Sequence, residues 1–139
     1  RLVANEKVEG SNPFARSIRR FNFLKKFIMS DLSKKKCVAC NGDTPPFDTS
    51  EIHKYLKKVD GWDVNNNDDK SFYLIKTFKF KNFEASQMFV NKVSDIAEEE
   101  NHHPDISFGW GYCKIKIFTH AIKGLAESDF ILAAKIDKI

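Results

Sequence analysis

"NFEASQMFVNKVSDIAEEENHHPD", Asn82 to Asp105, is the stretch on which the fold turns. Ala85, Phe89, Val93, Ile96 and Ala97 recur at helical spacing with charge on the opposite side, which predicts an amphipathic helix with one buried face. Asn101 suits a left-handed terminator. Pro104 pushes His103 into extended backbone and stops the helix from running on. Two of the chain's four histidines, His102 and His103, therefore sit on the corner where the helix ends.

On the C-terminal side, "DISFGWGYCKIKIF" reads as a strand pair or one long bent strand, with Gly109 and Gly111 allowing a bulge or tight turn. Cys113, Ile115 and Ile117 face one side. Trp110, Tyr112, Phe118 and His120 share the other if the strand is unbroken. "AESDFILAAKIDK" predicts a closing helix, with Phe130, Ala133, Ala134 and Ile136 available for packing. On the N-terminal side, "WDVNNNDDKSFYLIKTFKF" predicts two strands joined by a polar Asn/Asp turn. Phe72, Leu74, Phe78 and Phe80 share one parity, interrupted by Lys76. Before them, "TSEIHKYLKKVDGW" predicts a short helix capped by Thr49 or Ser50 and closed by Gly61, its apolar stripe being Ile52, Tyr55, Leu56 and Val59. Helix, two strands, helix, strands, helix is the order of an α+β sandwich, an antiparallel sheet with helices on one face.

The length of 139 residues fits one domain, and a hydrophobic fraction of 42% with thirteen Phe supplies a core without disulfides. Residues 1–30 carry seven Lys/Arg against two Glu, so the net charge of +4 belongs to this leader. That argues against a nucleic-acid-binding body. "NPFARSIRRFNFLKKFIMS" has the composition of an organellar transit peptide, or of a disordered extension, and is set apart from a domain over residues 31–139. No apolar run reaches the length of a membrane span. Three cysteines, an odd number, fit a reducing compartment, so the expected location is the cytoplasm or, through the leader, the mitochondrion.

Glu98 and His102 are four apart on the last helical turn, where a carboxylate can orient an imidazole and support its charge. His120 lies an even ten residues beyond Trp110, so an aromatic plate and an imidazole could face one cavity. Three readings compete for these residues. They form a solvated corner, a metal site for which an adjacent His pair is poorly spaced, or a metal-free set of general acids and bases. Composition does not choose among them.

The spacing Glu98-x3-His102-His103-Pro104-x5-Trp110-x9-His120-x8-Asp129 resembles the signature of the pterin-4a-carbinolamine dehydratases. "GW" at Gly61–Trp62, "TFKFKNF" at Thr77–Phe83, "THAIKGLAESD" at Thr119–Asp129 and "ILAAKID" at Ile131–Asp137 are similar to the same family. So is the lead-in "KKCVACNGDTPPF", which extends the likeness over about residues 34–139. The resemblance implies a four-stranded antiparallel sheet with about three helices on one face, assembling as a homodimer or homotetramer. It implies dehydration of 4a-hydroxytetrahydropterin to quinonoid dihydropterin, recycling the pterin cofactor of aromatic amino-acid hydroxylases. The implied partner is the pterin substrate, with no metal, no bound cofactor, no direct nucleic-acid contact and no membrane.

Carried over residue by residue, His102, His103 and His120 are the catalytic and pterin-binding histidines. His102 and His120 would handle protons and His103 would position the ring. Glu98 would orient His102, Trp62 and Trp110 would wall the flat pterin, and Pro104 would join them in binding the substrate. Asp129 would anchor the closing helix or contact the site. Two positions depart from the family pattern. Ala126 stands where many relatives cap the last helix with Ser or Thr, and Glu100 stands where relatives carry an apolar or small residue. "CVAC", Cys37 to Cys40, lacks the further ligands of a zinc site and the strand–helix context of a redox motif, and reads as a structural turn. His53 reads as solvated. The rival functional class is a non-catalytic binding module on the same fold, a dimerisation cofactor of a transcription factor or an assembly chaperone.

Overall fold

A computed structural model describes residues 32–139. The leader, and with it the transit-peptide reading, lies outside the described residues. Helix α1 spans Thr49–Leu56. Strands β1 (Asp63–Asn66) and β2 (Phe72–Lys79) follow. Helix α2 (Phe83–Glu100) leads into β3 (Asp105–Gly109) and β4 (Tyr112–Ile117). A single 3-10 turn at His120–Ile122 precedes helix α3, Glu127–Ile136. The strands form one antiparallel sheet in the order β1-β2-β4-β3. The α+β architecture read from the sequence is the one observed.

The register explains the burial. Val64 opposes Leu74, Leu74 opposes Ile117, and Ile106 opposes Ile115, so one face of the sheet, with side chains from all four strands, points toward the helices. Leu74, Cys113, Ile115 and Ile117 are fully buried there. Phe89, Val93 and Ala97 of α2 close over them. Helix α3 exceeds its expected single packing face: Phe130 through Ala134, and Ile136, are all buried. Its outer side is covered by α1 and by the turn-rich segment before it. The Phe47 and Tyr55 rings lie 6.2 and 5.4 Å from Phe130, and the Phe47 N–H donates to the Leu125 carbonyl at 2.8 Å. Pro46 comes so near Gly124 that a Cβ there would lie 2.8 Å from it, which accounts for glycine at that position.

One sequence expectation needs correction, and two open points resolve. Asp48, not Thr49 or Ser50, caps α1: its side chain accepts from the Glu51 N–H, and the Glu51 carboxylate accepts in return from the Asp48 N–H. Of the two alternatives for "DISFGWGYCKIKIF", the strand pair is the one observed: Trp110 and Gly111 form a two-residue hairpin turn with Gly111 at φ 78°. Trp110 is therefore at the hairpin tip and 73% exposed. Lys76, the apparent interruption of the apolar parity, keeps its inward register opposite Ile115. Its ammonium donates to the Asp137 carboxylate at 2.6 Å and to the Asp60 carbonyl at 2.5 Å, and lies over the Phe78 ring.

Asp137 also accepts from the Trp62 indole N–H at 3.0 Å and from the Asp60 N–H at 3.0 Å, with its side chain 2% exposed. Asp137→Ala strands a half-buried ammonium and a buried indole N–H. It is expected to lower unfolding free energy by about 3 kcal/mol in urea denaturation, with Lys76→Met in the same chain recovering part of the loss.

Candidate active site

Helix α2 ends as its sequence requires. Asn101 takes the left-handed conformation at φ 50°, and the His102 N–H turns back to the Ala97 carbonyl at 3.1 Å. This reversal turns the His102 side chain under the helix end toward α3. There its Nε2 meets Asp129 Oδ1 at 2.8 Å.

Asp129 has no exposure at all. Its second oxygen accepts from the Thr119 hydroxyl at 2.9 Å and from the Ala126 N–H at 2.8 Å. The Ala126 bond is the return half of a capping arrangement at the start of α3, so the first turn stays anchored although Ala126 itself offers no cap. One carboxylate thus ties together the end of α2, the exit of β4 and the start of α3. A buried carboxylate is tolerable when its lone pairs are met by donors, as they are here.

The three histidines gather at one end of the sheet. Asp105 opposes Lys116, so the residues preceding β3 lie beside those following β4. His120 follows Thr119, its exposed ring 4.1 Å from that of Phe118. His103 is exposed, and its Nε2 pairs with Glu98 Oε1 at 2.8 Å. The expected orientation of His102 by Glu98 is therefore not what the structure shows. The left-handed turn at Asn101 breaks the helical spacing, so Glu98 reaches His103, and His102 is held by Asp129. Pro104 is half-buried at the threshold of β3.

The tryptophans stand elsewhere. Trp62 is 4% exposed, bound to Asp137 and edge-on to Phe78 in the core. Trp110 is at the far end of the β3–β4 hairpin from the histidines. Neither walls the histidine corner within this chain.

A cavity of about 330 Å³ adjoins this corner, lined by Cys37–Cys40, Glu100, Asn101, His102 and Thr119. That volume is at the lower end of small-molecule sites. Of the three histidines, His102 alone contributes to its lining. Glu100, Thr119 and the Cys37–Cys40 segment are lining residues that the sequence alone does not mark as part of a site. Thr119 and Glu100 stand out only once Asp129 and Lys135 are placed near them, because their partners are distant in the chain. Among the described residues no group of three His, Cys, Asp or Glu side chains comes together in a way that could hold a metal ion. His53, as expected, is exposed, bonded to its own helix at the Thr49 carbonyl.

Glu100 is 7% exposed, accepts from the Cys37 N–H at 2.7 Å and pairs with the Lys135 ammonium. Burial pushes its carboxyl upward, but the Cys37 amide and Lys135 outweigh burial and leave it below the usual carboxylate value. The buried Cys113 thiol is pushed up to about 11 by desolvation and plays the part of a small apolar residue.

The sequence profile of the family described as pterin 4 alpha carbinolamine dehydratase matches residues 45–139. The chain belongs to this family. A Rubrobacter xylanophilus protein provisionally named pterin-4-alpha-carbinolamine dehydratase is 46% identical over 111 residues, covering 80% of this chain and all of that one. A Rickettsia bellii protein of the same provisional name is 48% identical over 111 residues, covering 79% and 95%. Among solved structures, the "transcriptional coactivator/pterin dehydratase" of Brucella melitensis has the same fold, with a TM-score of 0.60. It shares 27% identity and covers 67% of this chain and 96% of its own. Among the described residues no helix is long and apolar enough to cross a membrane.

Because Glu100 is held below its unfolded value, its contribution to stability is full above about pH 5 and is lost as pH falls through the lowered folded value. Urea unfolding of wild type and Glu100→Gln between about pH 3 and pH 7 is expected to show the wild-type advantage shrinking steadily toward the acid end.

Proposed function

We propose that this protein dehydrates 4a-hydroxytetrahydropterin to quinonoid dihydropterin and water, with imidazoles as the acids and bases. The observation that carries this reading is the His102–Asp129 pair, a cavity-lining imidazole fixed by a fully buried carboxylate. Expelling the C4a hydroxyl needs a proton delivered to its oxygen, and forming the new C=N bond needs the ring N–H proton removed. With Nε2 committed to Asp129, His102 keeps Nδ1 for one of these transfers. His120, open to solvent across Thr119, serves the other, and His103, steadied by Glu98, positions the ring. Family membership supports the substrate class, and the relatives' names point the same way.

The test is stopped-flow mixing of freshly generated 4a-hydroxypterin with wild-type protein and with His103→Ala, His120→Ala and Asp129→Asn forms. Wild type is expected to accelerate decay, and His120→Ala and Asp129→Asn to lose about tenfold or more of that acceleration. Equal decay with and without wild-type protein overturns the enzymatic reading.

The homo-oligomer expected of the family has a surface to form on. Phe83 and Phe108 are exposed with their rings 5.6 Å apart beside the edge strand β3, and the exposed Trp110 follows two residues on at the hairpin tip. The same patch favours the second reading, a binding module, in line with the coactivator role in the name of the Brucella protein. Light scattering on the eluting protein is expected to give a dimer or tetramer, and Trp110→Glu to shift it toward monomer. An unchanged Trp110→Glu assembly places the interface elsewhere.

A further inference from the structure

The Cys37–Cys40 segment lies outside the residues matched by the family profile, yet it forms one side of the His102 cavity. It belongs to no helix or strand, so its place depends on individual bonds. The Cys37 N–H donates to Glu100 at 2.7 Å. The Val38 N–H donates to Ser128 Oγ at 3.1 Å, and the same hydroxyl donates to the Val38 carbonyl at 2.9 Å. The Cys37 thiol donates to the Ser128 carbonyl at 3.3 Å. The strap is therefore fixed at two points, Glu100 on α2 and Ser128 on α3. Both anchors are buried, at 7% and 5% exposure, whereas the Val38 side chain above them is 74% exposed.

Glu100 is the stiffer anchor. Its side chain is 2% exposed and its other oxygen is occupied by Lys135, so it is held at the charge and geometry that receive the Cys37 amide. It also adjoins Asn101 and His102 in the chain, so the strap and the catalytic corner share one helix end. An apolar or small residue at this position would leave the Cys37 amide without its acceptor.

We propose that Glu100 is a positioning residue: through the Cys37 amide, and itself fixed by Lys135, it holds residues 37–40 in place as a wall of the His102 cavity and so sets the fit of the flat ring bound there. The identity of that ring rests on the dehydratase reading above, while the strap itself does not. Val38 and Ala39 supply the apolar part of the wall, and a released strap opens the cavity on that side.

Two readouts test this on the full chain. The first is the steady-state kinetics of carbinolamine dehydration by Glu100→Ala, Glu100→Gln and Ser128→Ala. Loosening a wall that binds ground state and transition state alike raises KM by about tenfold and leaves kcat within about twofold, with the pH profile unmoved. Glu100→Gln keeps an acceptor for the Cys37 amide and recovers most of the wild-type KM. The second readout is alkylation by iodoacetamide, mapped by mass spectrometry. The Cys37 thiol is pushed up to about 12, by burial first and then by Glu100, so the folded wild type reacts slowly there. Ser128→Ala, which keeps the Glu100 charge, is expected to speed Cys37 labelling by about tenfold as the thiol is freed of burial, and Glu100→Ala to speed it at least as much because the neighbouring negative charge is lost as well.

A folded Glu100→Ala with wild-type KM and wild-type Cys37 labelling overturns the proposal, as does one that loses kcat alone. Should Glu100→Ala fail to fold, Ser128→Ala decides by the same two measurements. If the wild type leaves carbinolamine decay unchanged, the dehydratase reading fails, and the labelling rates alone confirm or refute the strap.

Discussion

A fully buried carboxylate leaves a chain little choice. Asp129 must be surrounded by donors, and the three it finds come from three separate elements: the Thr119 hydroxyl after β4, the Ala126 amide before α3, and the His102 imidazole after α2. Each lone pair satisfied fixes one of these connections against the others. The geometry of the histidine corner is therefore a by-product of solving a burial problem. Contrast the His103–Glu98 pair, both partners open to water, which holds an imidazole lightly and contributes little to stability.

The same device recurs at other helix ends. Asp137, just past α3, gathers the Asp60 amide, the Trp62 indole and the Lys76 ammonium. Glu100, the last residue of α2, gathers the Cys37 amide and Lys135. In each case an acid at a helix terminus fastens an irregular segment that has no ladder of its own to hold it. Among the described residues no buried side-chain nitrogen or oxygen lacks a partner. The core provides most of the driving force, and these three acids give the connections a unique arrangement.

What the sequence could show follows from the range of the interactions. Helix α2, its Asn101 terminator and the β1–β2 hairpin are governed by neighbours within a few residues, and periodicity with turn chemistry sufficed to read them. Only an unbroken strand puts Trp110 on the face of His120; the two-residue turn places it at the hairpin tip instead, and which of the two forms depends on the conformation of Gly111. Resemblance makes Trp62 a ring wall, but its indole N–H has a buried acid to satisfy. The exchange of imidazole partners is more instructive. A separation of four favours Glu98 and His102 on a continuing helix, yet a single left-handed residue between them cancels that spacing. The true partner of His102 lies 27 positions away, and no local pattern announces it. Glu100 was legible only as an oddity, a charge at a position with a buried role, until Lys135 supplied the reason.

The placement of α3 has a consequence for how the molecule is made. This helix is buried on nearly every side, yet the ribosome delivers it after the whole sheet and after α2. Until residues 127–136 emerge, the core lacks Phe130 through Ala134 and Ile136, and Asp129 is not there to join the two ends of the histidine corner. Folding must then be largely a late, all-at-once event, with a sticky half-built sheet as its precursor. Nascent chains stopped ahead of Glu127 would be the natural clients of a holdase.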